Sequence, residues 1–122
     1  MMMIFQNAAM VRIGEMKKKR KKLTEADEKF IAKFLNRDGK LDFSIDTITR
    51  KNPFTGKKVE VDPICAACYD FATILYDAMN IGEEAIKEVH PDLKMSNAVR
   101  NFDRARYIFM KLDSDGYMKL LD

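Results

Sequence analysis

The chain has few of the residues from which metal and redox sites are built, and it has no long apolar run. Its 122 residues include two cysteines, one histidine and five isolated glycines. No stretch approaches the roughly 20 apolar residues of a membrane-spanning helix. The apolar start, Met1–Phe5, precedes the basic cluster instead of following it, which is the wrong order for a secretory signal. We therefore expect no transmembrane segment and no secretion.

The two cysteines, Cys65 and Cys68, lie three apart in a predicted helix, so we expect no structural disulfide and a reducing, intracellular setting. A zinc site needs four ligands, and this pair has only His90 to add. A redox pair would lie at a helix N-terminus, but the flanking residues here are apolar. We favour packing in the core, on one face with Ala72 and Leu75. Zinc binding and thiol chemistry remain as the alternatives.

Other catalytic and metal-binding motifs are incomplete. Thr55–Lys58 ends like a phosphate-binding loop, but Lys51 stands where that motif has its first glycine. Two Asp-Gly segments resemble part of a calcium loop, yet Phe34 and Lys111 occupy the first ligand position. We interpret both segments as turns and predict no metal and no cofactor.

The remaining titratable candidates are isolated from one another. Asp70 and Asp77 are seven residues apart on one predicted helix, about 10 Å along its axis, which is too far to share a proton. We predict that they form its solvated edge or pair with Arg100 or Arg104. His90 could act as a general base, but no nucleophile in a recognisable motif accompanies it. We predict no catalytic residue and a protein that is not an enzyme.

The charge is distributed unevenly. Residues 1–22 carry seven cations and one acid, a net charge of +6, whereas the other hundred residues carry a net charge of −3. We interpret residues 1–22 as an extended, methionine-rich arm and residues 23–122 as one globular domain. The predicted polyanion-binding residues are the cations of the arm, Arg12, Lys17, Lys18, Lys19, Arg20, Lys21 and Lys22.

The arm has several candidate partners. Adjacent cations attract phosphates without regard to sequence, but an acidic groove on a protein would serve equally well, and a solubilising tail or a nuclear localisation signal would look the same. Five methionines in residues 1–16 suit an adaptable contact. A membrane surface is disfavoured, because the segment lacks an amphipathic period.

The remaining pattern predicts an α+β fold, with a helical layer of three to four helices on a small antiparallel sheet. Predicted helices cover residues 24–35, 63–81, 83–89 and 95–112, and predicted strands cover 41–46, 58–61 and 117–121. Thr24 and Asp62 are suitable N-caps, and Asn52–Gly56 is a strong turn signal.

The helix over 64–79 is apolar almost all round, so we expect it to be central and buried. Helix 95–112 should pack through Met95, Val99, Phe102, Ile108 or Phe109, and Leu112. Arg100, Arg104 and Lys111 should lie outward.

The stretch from Asn52 to Asp62 (Asn-Pro-Phe-Thr-Gly-Lys-Lys-Val-Glu-Val-Asp), followed by Tyr69-Asp70-Phe71, resembles a pattern in short proteins of unknown function encoded by tailed bacteriophages. The resemblance covers residues 50–75. It implies a viral gene product in the host cytoplasm or the virion and no known activity, and it assigns no functional residue.

Our leading hypothesis is a non-enzymatic interaction protein, a small phage virion or accessory component that docks on a protein partner through its arm. The alternative is a nucleic-acid-binding protein whose run of cations from Lys17 to Lys22 contacts phosphates. The third is a thiol or zinc protein using Cys65 and Cys68. The sequence leaves the oligomeric state open.

Overall fold

The structure, a computed structural model, describes residues 22–36, 41 and 46–121. Within these ranges five helices pack with a two-stranded antiparallel sheet, which confirms the α+β class and adds a helix to the predicted three to four. The elements in chain order are α1 (Glu25–Phe30), which continues as a π-helical turn (Ile31–Leu35), β1 (Ile48–Lys51), β2 (Lys58–Val61), α2 (Pro63–Ile81), α3 (Glu83–Val89), α4 (Met95–Leu112) and α5 (Ser114–Leu121).

Helix α1 begins at the predicted N-cap. The Thr24 Oγ1 accepts a hydrogen bond from the Asp27 N–H at 3.1 Å, and the Asp27 carboxylate accepts one from the Thr24 N–H at 3.0 Å. This reciprocal capping box satisfies two N–H groups that have no partner within the helix. Phe30 and Ile31 are buried, as their spacing predicts.

The two strands form the predicted hairpin, but its first strand lies later in the chain than the alternation of residues 41–46 suggests. Within the described part, β1 begins at Ile48 and pairs antiparallel with β2, so that Ile48 faces Val61 and Lys51 faces Lys58. Residues 42–45 of the predicted strand lie outside the described residues, and Leu41 and Asp46 are not in a strand.

Helix α2 begins as predicted, with Asp62 as its N-cap and Pro63 at the first position, and ends at Gly82. It packs along α4 and supplies ten of the buried residues. The expectation that it is central and buried is confirmed, although Ile74, Tyr76 and Ile81 are exposed. None of the helices that the structure describes is long and apolar enough to cross a membrane.

The bounds of α3 and α4 match the prediction, but the buried face of α4 does not. Met95 and Val99 are exposed, and the predicted core positions that prove buried are Ile108, Phe109 and Leu112. Two alanines, Ala98 and Ala105, take the other core positions. Small residues there let α2 and α4 approach closely. The larger side chains of Met95 and Val99 lie on the adjacent, exposed face of α4.

The predicted third strand over Tyr117–Leu121 is wrong, because this segment is helix α5. Asp113 acts as its N-cap, since its Oδ1 accepts a hydrogen bond from the Gly116 N–H at 2.9 Å. A Cβ on Gly116 would lie 2.5 Å from Asp113 Oδ2 and 3.0 Å from Val61 Cγ1. The Asp-Ser-Asp-Gly sequence, which is typical of a turn, therefore serves here as a helix start packed against the sheet.

Candidate binding surfaces

A buried carboxylate joins α1 to α4. Asp27 is fully buried, and its oxygens accept hydrogen bonds from Arg104 Nη1 at 3.0 Å and Lys111 Nζ at 2.6 Å. Only 17% of the Lys111 side chain is exposed. The prediction that Arg104 and Lys111 simply face outward is therefore wrong, because the buried negative charge draws both cations toward α1.

The hydrogen bonds keep this carboxylate ionised. Burial alone would raise the pKa of Asp27, but the bonds from Lys111, Thr24 and Arg104 outweigh it and lower the pKa to about 2. One negative charge meets two positive charges here, so the cluster retains a net positive charge. Its role is structural, since a carboxylate with so low a pKa is a poor proton donor or acceptor at neutral pH.

Beside this cluster, α1 and α4 enclose an open groove of about 250 Å³. Two aromatic rings, Phe30 and Phe34, form its apolar part, with ring centroids 5.1 Å apart. Among the described residues, no acidic side chain lines the groove. Its lining residues are Ala26, Lys29, Phe30, Lys33, Phe34, Arg100, Asn101 and Arg104.

The four cations of the groove differ in how firmly they are held. Lys29 pairs with Glu25 at 3.3 Å and Lys33 with Asp92 at 3.2 Å, and all four of these side chains are more than half exposed. Such exposed ion pairs contribute little, typically about 0–1 kcal/mol, so a stronger anion can displace the carboxylates. Arg100 is exposed and makes no ion pair with any acid in the described ranges.

Arg104 completes the set as a fixed cation. It uses Nη1 for Asp27, while 41% of its side chain remains exposed toward the groove. A guanidinium carries five N–H donors, so donors are left for a second anion. The groove therefore combines one ordered arginine with three cations that can turn toward an anion bound in it.

One of the predicted polyanion-binding residues, Lys22, is among the described residues. Arg12 and Lys17–Lys21 lie outside the described residues. Lys22 is described and exposed, in the turn immediately before the α1 cap. The basic run therefore leads in sequence directly into the helix that carries Lys29 and Lys33.

The groove was missed at the sequence level, although a signal for it exists. Lys29 and Lys33 are four residues apart, as are Arg100 and Arg104. Residues four apart lie on one helix face. Each pair therefore indicates a cationic stripe, but nothing in the sequence shows that the two stripes face each other.

A second surface is apolar and lies along α4. Met95 and Val99 are exposed, the latter to 62%, and Phe102 lies 6.0 Å from the ring of the exposed Tyr76 on α2. The Arg106 guanidinium lies 5.3 Å from the centroid of the Phe102 ring. This stripe is the face of α4 that was predicted to be in the core. No helix or strand in the described part of the chain covers it.

The other titratable candidates have structural partners. Asp70 forms a two-pronged ion pair with Arg50, at 2.8 and 2.7 Å, instead of with the predicted Arg100 or Arg104. His90 is buried, packs against the ring of Phe34 at 4.7 Å, and accepts a hydrogen bond at Nδ1 from the Asp92 N–H.

The two thiols are buried, as the core interpretation predicts. Cys65, Cys68, Ala72 and Leu75 are all at most 1% exposed. Burial raises the pKa of both thiols far above the usual range, and the nearby Asp62 carboxylate raises them further. Burial therefore disfavours the thiolate form, which is the form that redox chemistry uses. Among the described residues no cluster of three or more metal ligands occurs.

No protein-family model, curated protein or solved structure matches the chain.

Proposed function

We propose that this protein is a non-enzymatic nucleic-acid-binding protein that contacts the phosphate backbone through the groove between α1 and α4. The observation that carries the proposal is the groove lining, in which the described residues include four cations and no acid around two phenylalanine rings, although three of the cations pair with acids outside the lining. Phosphates are the anions that such a lining suits best, since nucleic-acid affinity comes mainly from cation–phosphate contacts.

The charges around the groove support this assignment. The exposed acids that pair with Lys29 and Lys33 are displaceable, and Asp27 neutralises only one of the two cations bound to it. Binding therefore does not require breaking the buried cluster. It requires exchange of two weak surface pairs for phosphate contacts that also release counterions.

The basic run of residues 17–22 fits the same partner. It ends two residues before the Thr24 cap, so a backbone that lies in the groove can continue toward it. Residues 17–22 then attract the nucleic acid in a salt-sensitive way, and the groove determines where its backbone lies.

Substitution of Lys33 and Arg100 by glutamine, in one variant, tests the groove. Arg104 is left intact, because it holds Asp27. Binding of the full chain to a fluorescein-labelled 20-nucleotide oligomer, followed by anisotropy at about 50 mM salt, should weaken by about tenfold in this variant.

A matched control removes the same charge elsewhere. Lys87 and Lys94 are exposed and do not line the groove, so their joint replacement by glutamine should change the affinity by less than about twofold. Equal losses in both variants would show that only net charge matters. Absence of binding by the wild-type chain would reject the proposed function.

Protein binding is the second candidate function, favoured by the apolar stripe that contains Met95 and Val99. Exposed apolar side chains that cluster on one helix face often mark a protein contact. The resemblance to tailed-phage proteins is compatible with this role and stays a prediction. Sedimentation velocity of the full chain tests the simplest form: self-association that Val99→Asp abolishes supports it, and a monomer at all concentrations rejects it.

A further inference from the structure

The loop that joins β1 to β2 presents an aromatic ring to solvent. Phe54 is 94% exposed, whereas Asn52, two residues earlier, is only 2% exposed. A single exposed apolar residue is common on proteins and by itself indicates nothing. Here the loop around the ring is ordered, so the exposure is not a result of fraying.

Asn52 fixes the loop through five hydrogen bonds. Its Nδ2 donates to the Lys119 carbonyl of α5 at 2.8 Å, and its Oδ1 accepts from the Phe54 and Thr55 N–H groups at 2.8 and 3.2 Å. Its backbone N–H donates to the Lys57 carbonyl, and its own carbonyl accepts from the Gly56 N–H. Gly56 has a φ of 73°, a conformation that glycine adopts without strain. The backbone that carries the ring is therefore held in place before any partner arrives.

Three exposed lysines, Lys51, Lys57 and Lys58, flank the loop in the sequence, and none makes an ion pair with an acid in the described ranges. Lys51 and Lys58 face each other directly across the two strands, and Lys57 adjoins them. Like charges at directly opposed strand positions destabilise a hairpin. This arrangement is unfavourable for folding alone and becomes favourable when an anion lies between the lysines.

We propose that the hairpin loop binds single-stranded nucleic acid, with Phe54 stacked on an unpaired base and Lys51 and Lys58 on the flanking phosphates. This inference rests on the proposed function and adds to it the class of nucleic acid. An aromatic ring stacks on any unpaired base, and cations beside it follow the backbone. In a duplex the bases are stacked on each other and offer no face to the ring.

A membrane surface suits the loop less well. Insertion into a bilayer depends on the apolar area buried, and interfacial anchors present a whole apolar face. Phe54 is the only large apolar side chain of the loop, between Pro53 and Thr55. One ring is sufficient for one base.

The chain contains no tryptophan, which permits a direct test in the full-length protein. Phe54→Trp introduces a single tryptophan at the loop, whose emission is distinct from that of the four tyrosines. Titration with a 20-nucleotide thymidine oligomer should quench its emission to saturation, because the indole stacks on a base. The matched duplex should quench it much less, and inorganic polyphosphate, which has no bases, should not quench it. Ile81→Trp places the same fluorophore at another exposed site, 79% exposed at the end of α2, and should show no quenching.

Affinity measurements complete the test. Phe54→Ala should weaken binding of the single strand by about tenfold, and Phe54→Tyr should retain it. If the oligomer binds by anisotropy while the loop tryptophan is not quenched and Phe54→Ala has no effect, the stacking proposal is overturned and the proposed function stands. A blue shift with anionic phosphatidylserine vesicles, in place of quenching by the oligomer, would assign the loop to membranes. Failure of every nucleic acid to bind at low salt would remove both proposals.

Discussion

Asp27 is a fully buried carboxylate held by two cations of α4 and by the first turn of α1. A buried charge is costly unless it is paired and hydrogen-bonded, and removal of one partner leaves the others uncompensated. The same residue caps α1, attaches it to α4 and orders Arg104 at the edge of the groove. One side chain therefore couples the stability of the fold to the geometry of the candidate site.

Replacement of Asp27 by asparagine should lower the free energy of unfolding by about 3 kcal/mol at neutral pH, because Arg104 and Lys111 lose their counter-charge. Urea unfolding followed by circular dichroism measures this change. Asp77→Asn, an exposed acid on α2, is the control and should change stability by less than about 0.5 kcal/mol.

The stability of the wild-type chain should also fall with acid in a defined window. The pKa of Asp27 is about 2 in the folded chain and 3.8 without the fold, so its contribution is present above pH 4 and is lost as the pH falls toward 2. The loss amounts to about 2 kcal/mol. Asp27→Asn should lack this component, and parallel pH curves for the two proteins would contradict the account.

The thiols give a second prediction at the residue scale. Burial raises the pKa of Cys65 and Cys68 and also blocks access to them. Reaction of the native protein with Ellman's reagent should be slower than that of the urea-unfolded protein by more than about a hundredfold. The native rate should follow the population of unfolded chain as urea is added, and rapid reaction without urea would contradict burial.

At the scale of secondary-structure elements, the hairpin has a loop fixed by hydrogen bonds and, beside it, two opposed lysines that repel each other. Lys58→Glu should replace the repulsion between Lys58 and Lys51 by attraction, and so stabilise the protein by about 0.5 kcal/mol. The same change should weaken binding of the single-stranded oligomer, because it removes a phosphate contact. Thermal unfolding and anisotropy measure the two effects.

Lys57→Glu controls for the net charge. Lys57 has no directly opposed partner in the strand register, so this variant should weaken binding without the gain in stability. If Lys58→Glu fails to stabilise the protein, Lys51 and Lys58 do not repel each other. The argument that the hairpin needs an anion between these lysines then fails.

Most of the elements could be predicted from the sequence, because their ends carry local signals. Thr24 and Asp62 mark helix starts through side-chain oxygens that accept backbone N–H groups, and Gly82 marks a helix end through its positive φ. These signals need no tertiary contact. Helix α5 was predicted as a strand, because Asp113–Gly116 is typical of a turn and only the packing of Gly116 against Val61 distinguishes the two.

The buried face of α4 was harder to predict. The sequence favours the largest apolar residues as the core face, but the close approach of α2 selects Ala98 and Ala105. Met95 and Val99 then lie outside. The size of an apolar side chain is therefore a poor predictor of its burial where two helices pack closely.

The candidate site was only partly accessible from the sequence. A run of adjacent cations is visible without a structure, and so the predicted site is confined to residues 12–22. The groove depends on pairs far apart in the chain, such as Lys33 with Arg100, and the hairpin depends on the register that opposes Lys51 to Lys58. Such pairings arise from the fold and leave no local signal.

On the scale of the whole molecule, the charge is segregated. Residues 23–122 carry a net charge of −3, yet the groove lining and the hairpin loop are cationic. The proposed nucleic-acid binding therefore does not rest on general attraction between a basic body and a polyanion. It rests on local contacts, together with the +6 charge of residues 1–22.

The most direct test of nucleic-acid binding is its dependence on salt in the full chain. Affinity for the single-stranded oligomer is measured from about 50 to 300 mM salt for the wild type, for the Lys33/Arg100 double glutamine variant, and for a variant with residues 17–22 all changed to glutamine.

Each phosphate contact contributes about 0.7 to the slope of log affinity against log salt on a single strand. The account predicts a steep negative slope for the wild type, shallower by about 1.4 in the groove variant and by as much as about 4 in the variant of residues 17–22. A wild-type slope near zero, or no binding at 50 mM salt, would contradict it.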